Sequence, residues 1–343
     1  MCSSDLALGG FASLSYEIFL VRVLSFSTGG LAYSFALTLA AFLVGVASGS
    51  RVAGEMHAMP ESEQSARIRR ELAIAVAAGA LILPALRWLG VTGALQAAIV
   101  LSAAFLIARA TGLVLPWVAQ HGVAADADTG VKVSWLYLAN IAGSASGSIL
   151  TGFVLMNILP LAAIAQVLAI FALVLLLAFA WITRAPRQGV LAVAVAAAAG
   201  VAAAPLLAAG LWDRLLHKEK AFAASPVVEI VENRSGVIAV TADGVVYGNG
   251  MYDGRFNTDL TNDENGVARP FALSLLHAAP KRVLMIGLSS GSWARIIASN
   301  PHVESLTIVE LNPGYVELAS RHPETRSILT DPRINLVADD GRR

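Results

Sequence analysis

The sequence predicts a multi-pass α-helical membrane bundle followed by a small β-domain and part of an α/β domain built on a parallel sheet. Three observations carry this. Hydrophobic residues make up 56% of the 343-residue chain and charged residues only 14%, with a mean hydropathy of +0.67. A soluble domain carries roughly 25% charged residues, and one this apolar could not cover its surface. The charge is unevenly placed: residues 1–211 hold ten Lys/Arg and eight Asp/Glu, residues 212–343 hold fourteen and sixteen. In the second part, short apolar runs alternate with turn signals. The boundary falls near Trp212. It gives a transmembrane domain of about seven helices over 1–211, a linker with a β-hairpin domain over 212–268, and the N-terminal part of an α/β domain over 269–343.

Lys+Arg and Asp+Glu both number 24, so the net charge is zero. That excludes a nucleic-acid partner held by bulk charge and an acidic disordered chain. Cys2 is the one cysteine, which excludes a disulfide scaffold, a Cys-ligated zinc site and an iron–sulfur cluster. No metal site is predicted.

A spanning helix needs about 20 mostly apolar residues. Seven stretches qualify: 6–26, 31–50, 72–90, 94–115, 134–159, 161–183 and 189–211. The third is short and holds Pro84 and Arg87; the seventh is Ala-rich and would also suit a surface helix. No basic segment precedes the first stretch, so a cleaved signal peptide is not expected. Residues 55–71, rich in Glu and Arg, read as an amphipathic or solvated loop. Gly45 with Gly49, and Gly143 with Gly147, recur at the spacing that lets helix backbones approach closely.

Three ionisable groups fall inside the helices: Glu17, Arg22 and Arg109. Such groups mark functional candidates. Glu17 would line a polar cavity, one recognising a cationic ligand. The plainer alternative is a buried ion pair between helices, with Arg22 reaching an interface.

Arg51, Arg67, Arg69 and Arg70 follow the second stretch, Lys132 precedes the fifth, and Arg184 and Arg187 follow the sixth. Basic loops face the cytoplasm. Seven spans would then leave the second part outside, whereas Arg214, Lys218 and Lys220 argue for an inside position. The expectation is an integral protein of the plasma (inner) membrane, with the lipid bilayer as partner and a cytoplasmic soluble part. A homo-oligomer is left open.

Residues 227–249 alternate and turn like a β-hairpin: Val237–Thr241 is one strand, Ala242-Asp243-Gly244 the turn, and Val245-Val246-Tyr247 begins the return. An irregular loop follows, with Gly248, Gly250 and Gly254 and the acids Asp253 and Asp259. Residues 269–278 look helical, up to Pro280. Arg282–Ile286 reads as a buried parallel strand, with the turn Gly287-Leu288-Ser289-Ser290-Gly291-Ser292 and a helix from Trp293 to Ser299 after it. Leu306–Val309 is a second strand ending on Glu310, Pro313 opens a helix, and Ile334–Val337 is a third strand followed by Asp339-Asp340-Gly341.

This is the order of a Rossmann-like half-domain. A Gly-rich strand-to-helix turn lets a ligand approach backbone and a helix N-terminus. An acidic residue about 20 positions on can accept both hydroxyls of a ribose, and Glu310 lies nineteen residues after Gly291. Asp340 would sit beside a base. Gly287, Ser289, Ser290, Gly291, Glu310, Asp340 and Gly341 therefore form the expected adenosyl-binding set; solvated strand-end acids are the alternative.

Residues 283–291 with Val309-Glu310-Leu311 and Asp340-Gly341-Arg342 resemble a class I methyltransferase-type fold. Together with Gly236–Val240 and Gly248-Asn249-Gly250, the chain resembles spermidine synthase, a polyamine aminopropyltransferase. Tyr16-Glu17 with Arg22, the segment Gly45–Ser50, and Leu138-Ala139-Asn140-Ile141-Ala142-Gly143 are similar to the multi-pass subfamily. The resemblance implies transfer of an aminopropyl group from decarboxylated S-adenosylmethionine to putrescine or a similar small amine. Glu310 would hold the ribose, with Asp340 and Gly341 beside the adenine, and Asp253 and Asp259 on the substrate side. Ser289 and Ser290 stand where the family has a glycine and an acid. The family's catalytic Asp follows a fourth strand, so it is expected beyond Arg343; the chain reads as a C-terminally truncated piece, inactive alone. Two other readings stay open: an S-adenosylmethionine-dependent methyltransferase-like enzyme, and a non-enzymatic transporter or sensor of a polyamine or adenosyl ligand.

Overall fold

A computed structural model describes residues 2–90, 93–217 and 225–343, in two compact units, Met1–Ala221 and Phe222–Arg343. Lys218 and Lys220 lie outside the described residues.

Among the described residues the regular elements of the first unit are helices: α1 (Cys2–Ser27), α2 (Tyr33–Glu55), α3 (Glu61–Leu89), α4 (Gly93–Gly122), α5 (Thr129–Ile149), α6 (Met156–Ile158), α7 (Leu161–Ile182), α8 (Arg187–Leu207) and α9 (Leu211–His217). A π-helical turn, Leu150–Leu155, joins α5 to α6 into one long rod. Among the described residues seven helices are long and apolar enough to cross a membrane: α1, α2, α3, α4, the α5–α6 rod, α7 and α8.

Small residues set the closest contacts. A Cβ on Gly45 of α2 would lie 2.6 Å from the Phe105 carbonyl oxygen on α4, and one on Gly112 of α4 would lie 2.6 Å from that of Val46. On α5, side chains at Gly143 and Gly147 would run into the carbonyl oxygens of Ala7 and Phe11 on α1. The two glycine pairs therefore seat α2 on α4 and α5 on α1, as close backbone packing requires.

Residues 55–71 are not a solvated loop. After a short turn, Met56–Ala58, Pro60 starts α3, and Glu61 and Glu63 occupy its first turn, where the helix dipole favours acids. Gln64, Ile68, Glu71 and Ala75 repeat at helical spacing and are buried. Of its charges Glu55, Glu63 and Arg70 are exposed, whereas Glu71 is buried.

The seventh stretch runs alongside α3 and α7: Val201 packs with Ala80 and Ala169, and the Gln166 amide donates to the Val201 carbonyl at 3.3 Å. The ends are tied too. Arg87 Nε donates to the Ala209 carbonyl at 3.0 Å, Trp88 Nε1 to that of Leu207 at 2.7 Å, and Arg214 Nη2 to that of Gly90 at 2.6 Å. A helix lying across the bundle end could not make the lengthwise contacts. Trp212 meets Phe26 edge-on, with ring centroids 4.6 Å apart.

The second unit holds two sheets. β1 (Val227–Asn233), β2 (Gly236–Thr241), β3 (Val245–Gly248) and β4 (Met251–Arg255) form an antiparallel meander in sequence order. The expected irregular loop after Gly248 is thus the fourth strand. Asn249 and Gly250 both have positive φ, 48° and 81°, which is the two-residue turn that Asn-Gly favours. Short helices α10 (Ala268–Phe271) and α11 (Leu273–Leu276) lead to the second sheet, β5 (Arg282–Ile286), β6 (Ser305–Glu310) and β7 (Ile334–Ala338), parallel and in sequence order. α12 (Ser292–Ser299) and α13 (Gly314–Arg321) make its crossovers. One core joins the sheets: Val231, Ile238 and Val240 of the meander pack with Leu306, Ile308, Ile297 and Leu318. The other face of the parallel sheet is open, with Leu284 and Ile286 64% and 67% exposed.

Candidate functional site

The register of β5 on β6 pairs Ile286 with Val309, so the two carboxyl ends lie side by side. Gly287 N–H donates to the Val309 carbonyl at 2.8 Å, and the chain then turns into α12. Gly287 and Gly291 take φ of 88° and 81°, values open to glycine. Ser289 takes φ 52°, which costs a residue with a Cβ.

Serines sew this turn to β4. Ser289 Oγ donates to the Asp253 carbonyl at 2.8 Å, Ser290 Oγ to the Arg255 carbonyl at 2.9 Å, and Ser292 Oγ to the same oxygen at 2.8 Å. The hydroxyls at 289 and 290 thus anchor the meander strand that carries Asp253. Arg255 in turn is held by Asp243 and Glu264, and its main chain is bracketed by the Asn265 carboxamide at 3.0 and 2.8 Å.

Between turn and strand lies a cleft of about 740 Å³. Glu310 forms its floor. It is 5% exposed; Oε2 accepts the Leu288 N–H at 2.6 Å and Oε1 the Asn312 N–H at 2.7 Å. Each carboxylate oxygen keeps a further acceptor site, so the group is oriented by backbone yet able to accept hydroxyls from a ligand. Asp253 lines the cleft and accepts from Tyr315, whose phenol is pushed well above its ordinary value by burial and then by Asp253 and Glu310. Burial also raises Tyr252. Trp293 offers an aromatic wall, its indole N–H donating to the Asn265 carbonyl at 3.0 Å, with Arg269 over the ring at 6.0 Å.

Of the expected adenosyl set, Gly287, Ser289, Ser290 and Glu310 line the cleft together with Asp253. Gly291 stands behind it as the N-cap of α12. Asp340 and Gly341 do not line it. Asp340 grips Arg342 Nε at 2.9 and 3.0 Å, and that guanidinium holds its carboxyl down at about 2; Gly341 backs onto Ile286. Asp259 turns away to accept from Thr261 N–H at 2.9 Å and its hydroxyl at 2.7 Å, which lowers its carboxyl. Tyr252, Tyr315, Asn265, Arg269 and Trp293 are additions that no sequence spacing singled out. Among the described residues no group of three or more His, Cys, Asp or Glu could hold a metal.

In the bundle, Arg109 Nη2 meets Glu71 Oε1 at 3.0 Å, joining α4 to α3. Glu17 is buried on α1, and Arg22 Nη2 lies 3.6 Å from Met156 Sδ.

No protein-family model matches the chain, and no solved structure matches it. Part of the chain is nonetheless similar to known enzymes. It is 39% identical over 71 residues to polyamine aminopropyltransferase 1 of Pseudomonas aeruginosa, covering 20% of this chain and 25% of that one. It is 41% identical over 69 residues to the polyamine aminopropyltransferase of Pectobacterium atrosepticum (20% and 24%), and 41% over 71 residues to that of Pseudomonas syringae pv. tomato (20% and 25%). The chain thus spans about a quarter of the length of the curated relatives it matches. These matches support a spermidine synthase-like relationship over that part.

Proposed function

We propose that the protein is a membrane-anchored aminopropyltransferase of polyamine biosynthesis, using decarboxylated S-adenosylmethionine as co-substrate and putrescine or a similar amine as acceptor. The observation that carries this reading is Glu310, fixed by two backbone amides at the carboxyl end of β6 in a cleft shared with Asp253. A strand-end acid so held accepts a ribose diol. Asp253 is a carboxylate placed to attract an amine. In the reaction, the neutral amine nitrogen attacks the carbon next to the sulfonium. The carbon–sulfur bond breaks, its electron pair stays on sulfur, and methylthioadenosine leaves. The amine's extra proton must pass to a base, and a carboxylate beside the amine is the suitable group.

On this reading the second unit holds the N-terminal part of a Rossmann-like, methyltransferase-type domain and lies on the cytoplasmic side of the inner membrane, where donor and amine are made. Self-association through the bundle is compatible with it. Ser290 favours a second reading. A hydroxyl tied to Arg255 stands where an acid would hold the donor's aminopropyl end, as suits a sensor that binds an adenosyl ligand without transfer.

Calorimetry of the full chain in detergent with methylthioadenosine, beside turnover of labelled donor on a panel of amines, tests both. Binding with turnover supports the enzyme. Binding without turnover is what the sensor gives and also what an enzyme lacking its catalytic Asp gives, so it retires neither; no binding removes both.

A further inference from the structure

The cleft of the second unit leaves the polar residues of the bundle unexplained. A separate cavity of about 450 Å³ lies among α1, α2, α3, α4, α5 and α7. Six hydroxyl or carboxamide side chains line it: Ser13, Ser50, Thr111, Asn140, Ser144 and Thr183. Ser13, Thr111, Asn140 and Ser144 stand near the middles of their spans. Ser13 Oγ and Thr111 Oγ1 are 3.3 Å apart, and Ser50 Oγ donates to the Gly112 carbonyl at 3.2 Å. The side chains of Asn140 and Ser144 make no hydrogen bond to any described residue. Both face Gly10 of α1: a Cβ there would lie 2.9 Å from Asn140 Oδ1 and 2.8 Å from Ser144 Oγ, so the glycine leaves these groups room.

An unpaired carboxamide in hydrocarbon is costly, and polar side chains at that depth face water or a solute path. We propose that the membrane bundle holds a second small-molecule site, whose ligand is a small uncharged solute carrying both hydrogen-bond donors and acceptors. The polar band has hydroxyls and a carboxamide but no titratable group. Ionisable side chains appear only toward the end where α3 begins: Glu61 and His121 line the cavity, and Arg69 donates to the lining residue Thr183 at 2.8 Å. Glu61 is the one carboxylate in the lining, too little charge to neutralise a polyamine, so this site differs in ligand class from the cleft. The remaining wall, including Leu14, Leu115 and Phe179, is apolar, and the volume suits a small ligand.

The test uses the full chain in lipid nanodiscs with Cys2→Ser, adding Ser144→Cys or, as a control on the outward face, Ile141→Cys. Three alkylating probes of similar size are compared: iodoacetamide (neutral), iodoacetate (anionic) and 2-bromoethylamine (cationic), each normalised to its rate with free cysteine. The expected result is that iodoacetamide modifies Ser144→Cys at least about tenfold faster than Ile141→Cys, and about tenfold faster than either charged probe does. Equal rates at both positions mean a closed or lipid-filled cavity and overturn the proposal. A preference for a charged probe at Ser144→Cys overturns it as well. Should Ser144→Cys fail to fold, Thr111→Cys is read by the same criteria.

Discussion

Glu310 Oε2 accepts the main-chain N–H of Leu288 at 2.6 Å, binding the end of β6 to the turn that follows β5. The same carboxylate, through Oε1, holds Asn312 N–H at the start of the approach to α13. Removing it strands two buried amides, at about 1–3 kcal/mol each. Glu310→Ala should therefore lose methylthioadenosine binding by tenfold or more and also raise hydrogen exchange at Leu288 and Asn312. Glu310→Gln keeps one acceptor and should lose binding with a smaller rise in exchange. If Glu310→Gln binds like the wild type while exchange at Leu288 rises, the carboxylate serves the fold and not a ribose.

Arg109 and Glu71 form a partly buried pair between α3 and α4, with side chains 24% and 7% exposed. Glu71→Gln leaves the guanidinium without its counter-charge, at a cost on the order of 3 kcal/mol. Glu71→Leu with Arg109→Leu removes both charges and should recover most of that loss. Thermal unfolding in detergent measures both variants. A double variant no more stable than Glu71→Gln would mean that the pair is not what holds these helices.

Gly143 has no room for a side chain against Ala7, while Gly54 and Gly189 meet nothing within 4 Å. Gly143→Val should part α5 from α1 and cost about 1–3 kcal/mol. Gly54→Ala and Gly189→Ala should leave the melting temperature close to the wild type. Equal effects at all three positions would show that helix propensity, and not the α1–α5 contact, is being measured.

Sidedness follows from whether α8 crosses. A reporter fused after Arg187 and one after Lys281 should report opposite sides if it does. The cytoplasmic assignment requires a cytoplasmic signal at Lys281, and a periplasmic signal there removes it.

Much of this architecture is legible because hydropathy over 20 residues and the order of strand, Gly-rich turn and strand-end acid are local signals. Glu310 could be found in that way. Asp340 could not be judged, because Arg342, two residues on, competes for its carboxyl. Charge density alone makes the stretch around Glu71 look like loop, and only its helical spacing shows otherwise; its partner Arg109 lies thirty-eight residues on. Asn249-Gly250 carries a hairpin signal for the fourth strand, but the glycines around it suggest irregularity. Tyr315 and Asn265 reach the cleft only through tertiary packing, and no spacing encodes that.

Tyr315 supplies the final expectation. Its phenol is raised above the ordinary 10.0 chiefly by burial and then by Asp253. The folded value lies above the unfolded one, so its stabilising effect is complete below the unfolded value and is lost as pH rises toward the folded one. At neutral pH Tyr315 keeps its proton and donates to Asp253, a bond to a charged acceptor worth about 1.5–3 kcal/mol. Tyr315→Phe should lower the stability of the second unit by about that much at neutral pH. In ultraviolet titration, wild type and Tyr315→Phe should show the same tyrosinate rise around pH ~10, because Tyr315 does not ionise there. Above that pH, the wild type should lose stability more steeply than the variant, which has no unfolded-state phenol at this position to ionise. A tyrosinate step missing from Tyr315→Phe near pH ~10 would mean that the phenol is open to solvent and donates no hydrogen bond to Asp253.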